Sequence, residues 1–211
     1  MGIRQTHRER LRNSSQIMQT VFDDILMKGI RAGQAPARTV ASRNWYRNVA
    51  KTAGQPNMAD KTRVRKTVEP GSMYMFHYDP KTKDKLPYYD RFPLIFPFEA
   101  APGGFYGINL HYLPHRLRAR LMDGLYKYTS DKRYDEKTKL AITYRMLKGA
   151  ANLKYFKPCV KRYLYSHVQS PFLYVYASEW DISLFLPTEK FAKQSMSYVH
   201  DKSTKMIYGT K

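Results

Sequence analysis

The spacing of apolar residues divides the chain into a helical start, a polar arm, a strand-rich middle and a helical second half. Residues 5–31 carry apolar side chains at the spacing of one helical face, and Gly33 is a suitable stop for that helix. The apolar face consists of Met18, Val21, Phe22, Ile25 and Leu26. Residues 33–65 are rich in small, polar and basic side chains, so we predict that an extended basic arm follows the helix.

Three apolar runs between residues 71 and 113 predict a small antiparallel sheet. The first is MYMFHY at 73–78, which has high strand propensity. The second is FPLIFPF at 92–98, where two prolines exclude a fully paired central strand and predict an edge or a bulge. The third is FYGINLHYL at 105–113, in which Gly107 indicates a bulge or a close backbone approach. The charged KTKDK between the first two runs is predicted to be an exposed loop tip.

The remainder of the chain has mainly helical patterns. Pro114 suits the first position of one helix, and Asp135 is placed to cap another that runs toward Gly149. Further helical segments are predicted at 158–168 and from residue 178 onward. The predicted fold class is therefore α+β, with a small antiparallel β-sheet followed by a helical C-terminal half. We predict three parts: the N-terminal helix and basic arm at 1–70, one core domain at 71–198, and a basic mobile tail at 199–211.

The chain is strongly basic along its whole length. It has 37 Lys and Arg residues against 17 Asp and Glu, a formal net charge of +20. The charge is net +9 over residues 1–70 and net +11 over residues 71–211. Such a surface makes nucleic acid the leading class of partner. No apolar run approaches the roughly 18 residues that span a bilayer, so no membrane partner is predicted.

The sequence shows no pattern that is typical of an active site. His111 and His115 have a zinc-like spacing, but Pro114 lies between them and separates a strand end from a helix start. The single cysteine, Cys159, excludes an intramolecular disulfide framework and is interpreted as a buried small residue rather than a nucleophile. We therefore predict no enzyme, no catalytic residue, no metal and no cofactor.

Basic residues next to aromatic ones are the candidates for DNA binding. In SRNWYR, Trp45 and Tyr46 lie between Arg43 and Arg47, so that bases can stack on the rings while phosphates meet the guanidinium groups. The alternative is that Trp45 anchors the arm on the core domain. Other candidates lie near the end of the arm and in the helix after Pro114, where they would neutralise phosphates from one basic face. The full candidate set is Arg43, Trp45, Tyr46, Arg47, Arg63, Arg65, Lys66, Arg116, Arg118, Arg120 and Lys127.

Several stretches of the chain resemble a known family. The series MYMFHYDPKTKDKLPYYDRFPLIFPF, GGFYGINLHYLP and RARLMDGLY is similar to the DNA end protector proteins of T4-like tailed bacteriophages and their marine relatives. SRNWYR and KPCVKRYLYSHVQS extend the resemblance more loosely, so that it covers residues 43–195. The most specific part is YDPKTKDKLPYYDRFPL.

The resemblance implies a late head-completion protein. It would bind the ends of packaged linear double-stranded DNA, shield them from a host exonuclease after injection, and help to finish the head before tail joining. Its implied locations are the virion and the host cytoplasm, during assembly and after DNA ejection. Its implied partners are linear DNA ends together with head, portal or neck proteins. No catalytic residues are assigned in the family that would transfer to this chain.

A second hypothesis is a structural neck, tail or baseplate component with no direct role at DNA ends. In that case the N-terminal helix and arm would hold neighbouring subunits, and the chain would form a homo-oligomeric ring. A general nucleic-acid chaperone accounts only for the charge, and a nuclease agrees least with the sequence. Copy number separates the first two hypotheses, since one or two copies indicate genome ends and six or twelve indicate a ring.

Overall fold

The computed structural model describes residues 61–114, 117–118, 121–122, 125, 132–180 and 188–209. The predicted N-terminal helix lies outside these residues, as does the arm before residue 61. Among the described residues, no helix is both long and apolar enough to cross a membrane.

The described part of the chain is built around β-strands that form two sheets. The strands are β1 Val64–Arg65, β2 Met73–Met75, β3 Tyr89–Asp90, β4 Leu94–Ala101, β5 Gly104–Asn109, β6 Val160–Leu164, β7 Phe172–Val175 and β8 Phe191–Ala192. The main sheet has six strands in the order β1-β7-β2-β4-β5-β6. A separate two-stranded sheet pairs β3 with β8, and every strand pair in both sheets is antiparallel. With the helices described below, this architecture agrees with the predicted α+β class.

The proline-rich strand β4 lies in the middle of the sheet, paired with β2 on one side and β5 on the other. The predicted edge position is therefore wrong, whereas the predicted bulge is confirmed by a register shift between Pro97 and Glu99. The bulge accommodates the ring, because Pro97 has no N–H to contribute to a regular ladder. The Pro97 carbonyl still accepts a hydrogen bond from the Gly71 N–H at 3.1 Å.

Two glycines in β5 allow the neighbouring backbones to approach closely. A Cβ atom at Gly104 would lie 1.8 Å from the Tyr163 carbonyl oxygen of β6, a distance that no side chain can tolerate. A Cβ at Gly107 would lie 3.3 Å from the Phe96 carbonyl oxygen of β4. The close approach predicted at Gly107 is therefore confirmed.

Helix α1 spans Glu136–Ala151, and its start agrees with the sequence prediction. The Asp135 carboxylate accepts the Thr138 N–H at 2.6 Å, which satisfies one of the free donors of the first turn. Residues 117–118, 121–122 and 125 are also helical, as predicted for the segment after Pro114.

Helix α2 spans Met196–Tyr208 and occupies most of the region that was predicted to be a mobile tail. The Ser195 hydroxyl caps it by accepting the Tyr198 N–H at 3.2 Å. Val199, Ser203 and Ile207 are buried, and their spacing of four residues defines the face that packs on the core. The tail prediction is wrong because this narrow apolar face was hidden among polar residues.

The helix predicted at 158–168 is also wrong. This region contains a 3₁₀ turn at Lys157–Cys159, strand β6 and a second 3₁₀ turn at Tyr165–His167. The β-branched and aromatic residues of VKRYL suit a strand, and pairing with β5 outweighs the helical spacing. Another helix is predicted from residue 178. The structure has a 3₁₀ turn at Ala177–Glu179, and residues 181–187 lie outside the described part, so the rest of this prediction is not tested.

The two faces of the main sheet carry different cores. One face packs against the helices through mainly aliphatic residues, and it includes the edge-to-face pair of Phe96 and Trp180 at 5.0 Å. Cys159 is buried in this core, as predicted. The other face is mainly aromatic and comprises Tyr74, Phe76, Tyr78, Ile95, Phe105, Tyr163 and Phe172.

Candidate nucleic-acid interface

The predicted DNA-binding residues fall into two groups. Four of them are described, namely Arg63, Arg65, Lys66 and Arg118. The predicted candidates that lie outside the described residues are Arg43, Trp45, Tyr46, Arg47, Arg116, Arg120 and Lys127.

Arg118 is buried inside the protein, with its side chain 0% exposed. Its Nε donates to the Leu113 carbonyl at 2.6 Å, and one terminal nitrogen donates to the His111 carbonyl at 3.2 Å. The same nitrogen forms an ion pair with Glu189, whose side chain is 1% exposed. Arg118 thus joins the segment before the helical residues to the segment before α2. The expectation that Arg118 faces DNA is wrong for this reason.

Arg63 is also engaged by a carboxylate. Two of its nitrogens donate to the two carboxylate oxygens of Glu179 at 2.5 and 2.6 Å, and its guanidinium lies 4.6 Å from the centre of the Tyr176 ring. Bidentate pairs of this kind fix geometry strongly. Arg63 therefore attaches the end of the arm to the turn after β7.

Arg65 and Lys66 lie at the β1 edge of the sheet. The Arg65 guanidinium lies 5.3 Å from the centre of the Tyr174 ring and donates to the Thr62 and Val64 carbonyls. Among the described residues, no carboxylate pairs with Arg65, and Lys66 is exposed beside it. Of the described candidates, these two remain available to a phosphate backbone.

A buried polar chain connects Thr188, His111 and Asp90. The Thr188 hydroxyl lies 2.8 Å from Nε2 of His111, and Nδ1 of His111 lies 2.6 Å from Oδ2 of Asp90. The order of these three groups resembles that of the nucleophile, base and orienting acid in a catalytic triad. All three side chains are buried, however, and Thr188 is 1% exposed. The chain connects β3, the turn after β5 and the segment before β8, so we assign it a structural role.

Strong hydrogen bonding keeps the Asp90 carboxylate charged despite its burial. Burial alone would raise the pKa of Asp90, but His111, Asn109 and the Phe92 N–H together hold that pKa below its ordinary value. Asn109 donates to Oδ2 at 3.1 Å and the Phe92 N–H donates to Oδ1 at 3.0 Å. Both oxygens of the buried carboxylate thus have hydrogen-bond donors.

A pocket of about 390 Å³ lies at the β6 edge, the opposite edge of the sheet from β1. Five strand spacings of about 4.8 Å place the two edges about 24 Å apart, so Arg65 and Lys66 are not part of this pocket. Its walls are tyrosine-rich and carry several cations. The lining residues are Tyr78, Pro80, Lys81, Thr82, Leu86, Tyr89, Asp90, Tyr112, Val160, Lys161, Arg162, Tyr163 and Leu164.

Lys161 is the least exposed of the cations that line the pocket. Its ammonium lies 4.2 Å from the centre of the Tyr112 ring, a cation–π contact. Burial lowers the pKa of Lys161 below its ordinary value. No hydrogen bond or carboxylate contact to this ammonium occurs among the described residues. Lys161 is thus a partly buried positive charge without a carboxylate partner in the part of the chain that the structure describes.

Sequence reasoning missed Lys161 because it assigned this region to a helix. In strand β6, alternate residues share a face, so Lys161 and Tyr163 lie on the side of the aromatic core. The alternation in VKRYL was the available signal.

The loop at Lys81–Lys85 forms one side of the pocket mouth. All five residues are exposed, which confirms the predicted loop tip. Lys81 and Thr82 line the pocket, whereas Lys83 pairs with Asp79 at 2.9 Å. The Lys193 ammonium donates to the carbonyls of Lys83, Asp84 and Leu86 and thereby fixes the base of the loop.

Fold and surface together define a basic α+β protein with cation–tyrosine surfaces at both edges of its main sheet. No cluster of three His, Cys, Asp or Glu side chains suited to a metal ion occurs within the described residues. A basic surface with cations beside tyrosine rings is typical of a protein that binds polyanions.

Comparison with known families identifies the family of the chain. The model of the phage T4 terminal DNA protecting protein matches residues 2–207, and the chain belongs to this bacteriophage family. The match includes the first forty residues, which the resemblance seen in the sequence did not cover. No curated protein and no solved structure matches the chain. The family name describes protection of terminal DNA rather than a catalysed reaction.

Proposed function

We propose that this protein binds the ends of packaged linear double-stranded DNA, protects them from host exonuclease and helps to complete the phage head. The observation that carries the proposal is the formal net charge of +20 in a chain that the family model matches at 2–207. Its sites of action are the virion and the host cytoplasm. Head, portal or neck proteins are the proposed protein partners.

The described core supports a role for electrostatic contacts with the DNA backbone. Arg65 and Lys66 lie at the β1 edge of the sheet without a carboxylate partner among the described residues. Contacts of this type neutralise phosphates without reading sequence. If about five phosphates are contacted, log affinity falls with log salt at a slope of about −4.5.

An exonuclease challenge tests the proposal directly. Linear duplex DNA is mixed with the purified full chain and digested by a processive exonuclease, and the surviving length is measured over time. We expect the protein to protect linear DNA from digestion at concentrations at which it binds closed circular DNA only weakly. Digestion at the rate of naked DNA, or equal affinity for circular and linear duplexes, would contradict end protection.

One observation favours the second candidate, a structural neck, tail or baseplate component. Helix α2 carries four of the six large apolar side chains that are exposed in the described residues, namely Met196, Tyr198, Met206 and Tyr208. This concentration of exposed apolar side chains makes α2 a candidate for a protein contact. Quantitative mass spectrometry of purified particles separates the two, because one or two copies support end binding and six or twelve support a ring.

A further inference from the structure

The pocket at the β6 edge combines the features of a site for a small anion. Its volume of about 390 Å³ lies within the range of about 300–1,000 Å³ that is typical of small-ligand sites. Lys81 and Thr82 stand at its mouth and Lys161 in its wall. Tyrosine rings supply apolar walls against which a sugar ring can pack.

Lys161 is the strongest indication that the ligand is anionic. An ammonium withdrawn from solvent is costly unless a counter-charge faces it. Among the described residues, the Lys161 ammonium contacts the Tyr112 ring. The quadrupole of an aromatic ring attracts a cation, but the ring carries no net negative charge. A phosphate between Lys161 and Lys81 would supply the missing charge, and lysine is a common phosphate ligand.

The Asp90 carboxylate also lines the pocket, but it does not exclude an anion. Its oxygens are occupied by His111 at 2.6 Å, by Asn109 at 3.1 Å and by the Phe92 N–H at 3.0 Å. Both oxygens of the carboxylate therefore already have hydrogen-bond donors.

We propose that this pocket receives the terminal phosphate of a DNA strand, with Lys161 and Lys81 as its cationic ligands. This inference rests on the proposed function, since it specifies how a DNA end differs from a position inside a duplex. A terminal phosphomonoester carries more negative charge than an internal phosphodiester, and it alone can enter a pocket without the chain continuing beyond it. The pocket would thus recognise an end by its chemistry.

The test measures binding of the full chain to three short duplexes of one sequence. One carries 5′-phosphates, one carries 3′-phosphates and one has hydroxyl groups at all termini. We expect one phosphorylated duplex to bind about tenfold more tightly than the hydroxyl duplex. Lys161→Met should reduce this preference to below about twofold while its melting temperature stays at or above that of the wild type.

Matched variants separate the pocket from general charge. Lys157 is exposed and lies four residues before Lys161, and Lys85 lies four residues after Lys81 in the same exposed loop without lining the pocket. Lys157→Met and Lys85→Met should therefore keep the phosphate preference, whereas Lys81→Met should lose part of it. If Lys161→Met does not fold, the pair Lys81→Met and Lys85→Met makes the same comparison.

Different failures have different meanings. If the wild type binds all three duplexes equally, or if the preference survives in Lys161→Met and Lys81→Met, the pocket proposal is overturned while end binding stands. If no linear duplex is preferred over circular DNA, the proposed function itself fails. Binding of free deoxyadenosine monophosphate without any preference among the duplexes would make the pocket a free-nucleotide site and would also overturn the proposal.

Discussion

Arg118 and Lys161 are both cations withdrawn from solvent, but their surroundings differ. The Arg118 guanidinium contacts two carbonyls and the Glu189 carboxylate, and this set of partners ties three segments of the chain together. Lys161 lines a pocket, and its ammonium contacts the Tyr112 ring. Burial lowers the pKa of both groups, but only at Arg118 does a carboxylate oppose that effect. The comparison separates a cation that holds the fold from one that is suited to an external anion.

The largest expected effect is at Arg118. Arg118→Met leaves the Glu189 carboxylate buried without its guanidinium partner, which should lower the free energy of unfolding by about 3–5 kcal/mol. Urea denaturation of the variant and the wild type measures the difference. Adding Glu189→Gln to the variant should recover part of the loss. A loss below about 1 kcal/mol for the single variant would mean that Arg118 does not hold the fold.

Lowering the pH should destabilise the fold through its buried carboxylates, which include Glu189, the partner of Arg118. The pKa values of Asp90 and Glu189 lie below their ordinary values of 3.8 and 4.5, because His111 and Arg118 oppose the effect of burial. Such carboxylates stabilise the fold fully above their unfolded-state pKa values, and this contribution is lost as the pH falls through the lower folded-state values.

We expect the free energy of unfolding to fall by about 2–3 kcal/mol between about pH 6 and about pH 3. Urea midpoints across this range measure the fall. Asp90→Asn should flatten the profile, whereas Lys161→Met should leave its shape unchanged. An unaltered profile in Asp90→Asn would show that another group controls the acid response.

In contrast to Arg118, Lys161 should contribute to anion binding and not to the stability of the fold. Lys161→Met removes a cation that lacks a carboxylate partner among the described residues, so the free energy of unfolding should stay the same or rise by up to about 1 kcal/mol. Calorimetry provides the melting temperature, and Lys157→Met is the exposed control. A clear destabilisation would place Lys161 with Arg118 as a residue that holds the fold.

The smallest effect is expected at the tip of the Lys81–Lys85 loop. Lys83→Glu alters an exposed pair with Asp79, so melting temperature and exonuclease protection should both remain at wild-type values. Lys81→Glu, in the same loop but lining the pocket, is the comparison. Loss of protection in Lys83→Glu without a change in melting temperature would assign the whole loop to the DNA-binding surface.

Local chemistry made part of the fold predictable. The Asp135 cap, the strand at Met73, the glycine at 107 and the exposed lysine loop each follow from neighbours within a few residues. The central position of β4 and the strand β6 depend instead on pairing between distant segments. Propensity is a weak guide where such pairing decides the outcome.

The candidate site was less predictable for the same reason. A basic residue in a sequence does not reveal its counter-charge, and the Glu189 partner of Arg118 lies 71 positions away. Lys161 likewise acquires its pocket from the loop at Lys81 and from Tyr112, which are remote in sequence. Charge predicted the class of partner, whereas only the fold distinguishes which cations remain available to it.

The contact between Gly104 and the Tyr163 carbonyl has a consequence for sequence variation within the family. A side chain at Gly104 would have to displace the backbone of β6, so we expect every relative that keeps the pairing of β5 with β6 to have glycine there. The neighbouring Gly103 has a φ of 68° and open space around its Cβ position, so asparagine should replace it in some relatives. Among relatives, substitutions should therefore be far more frequent at Gly103 than at Gly104.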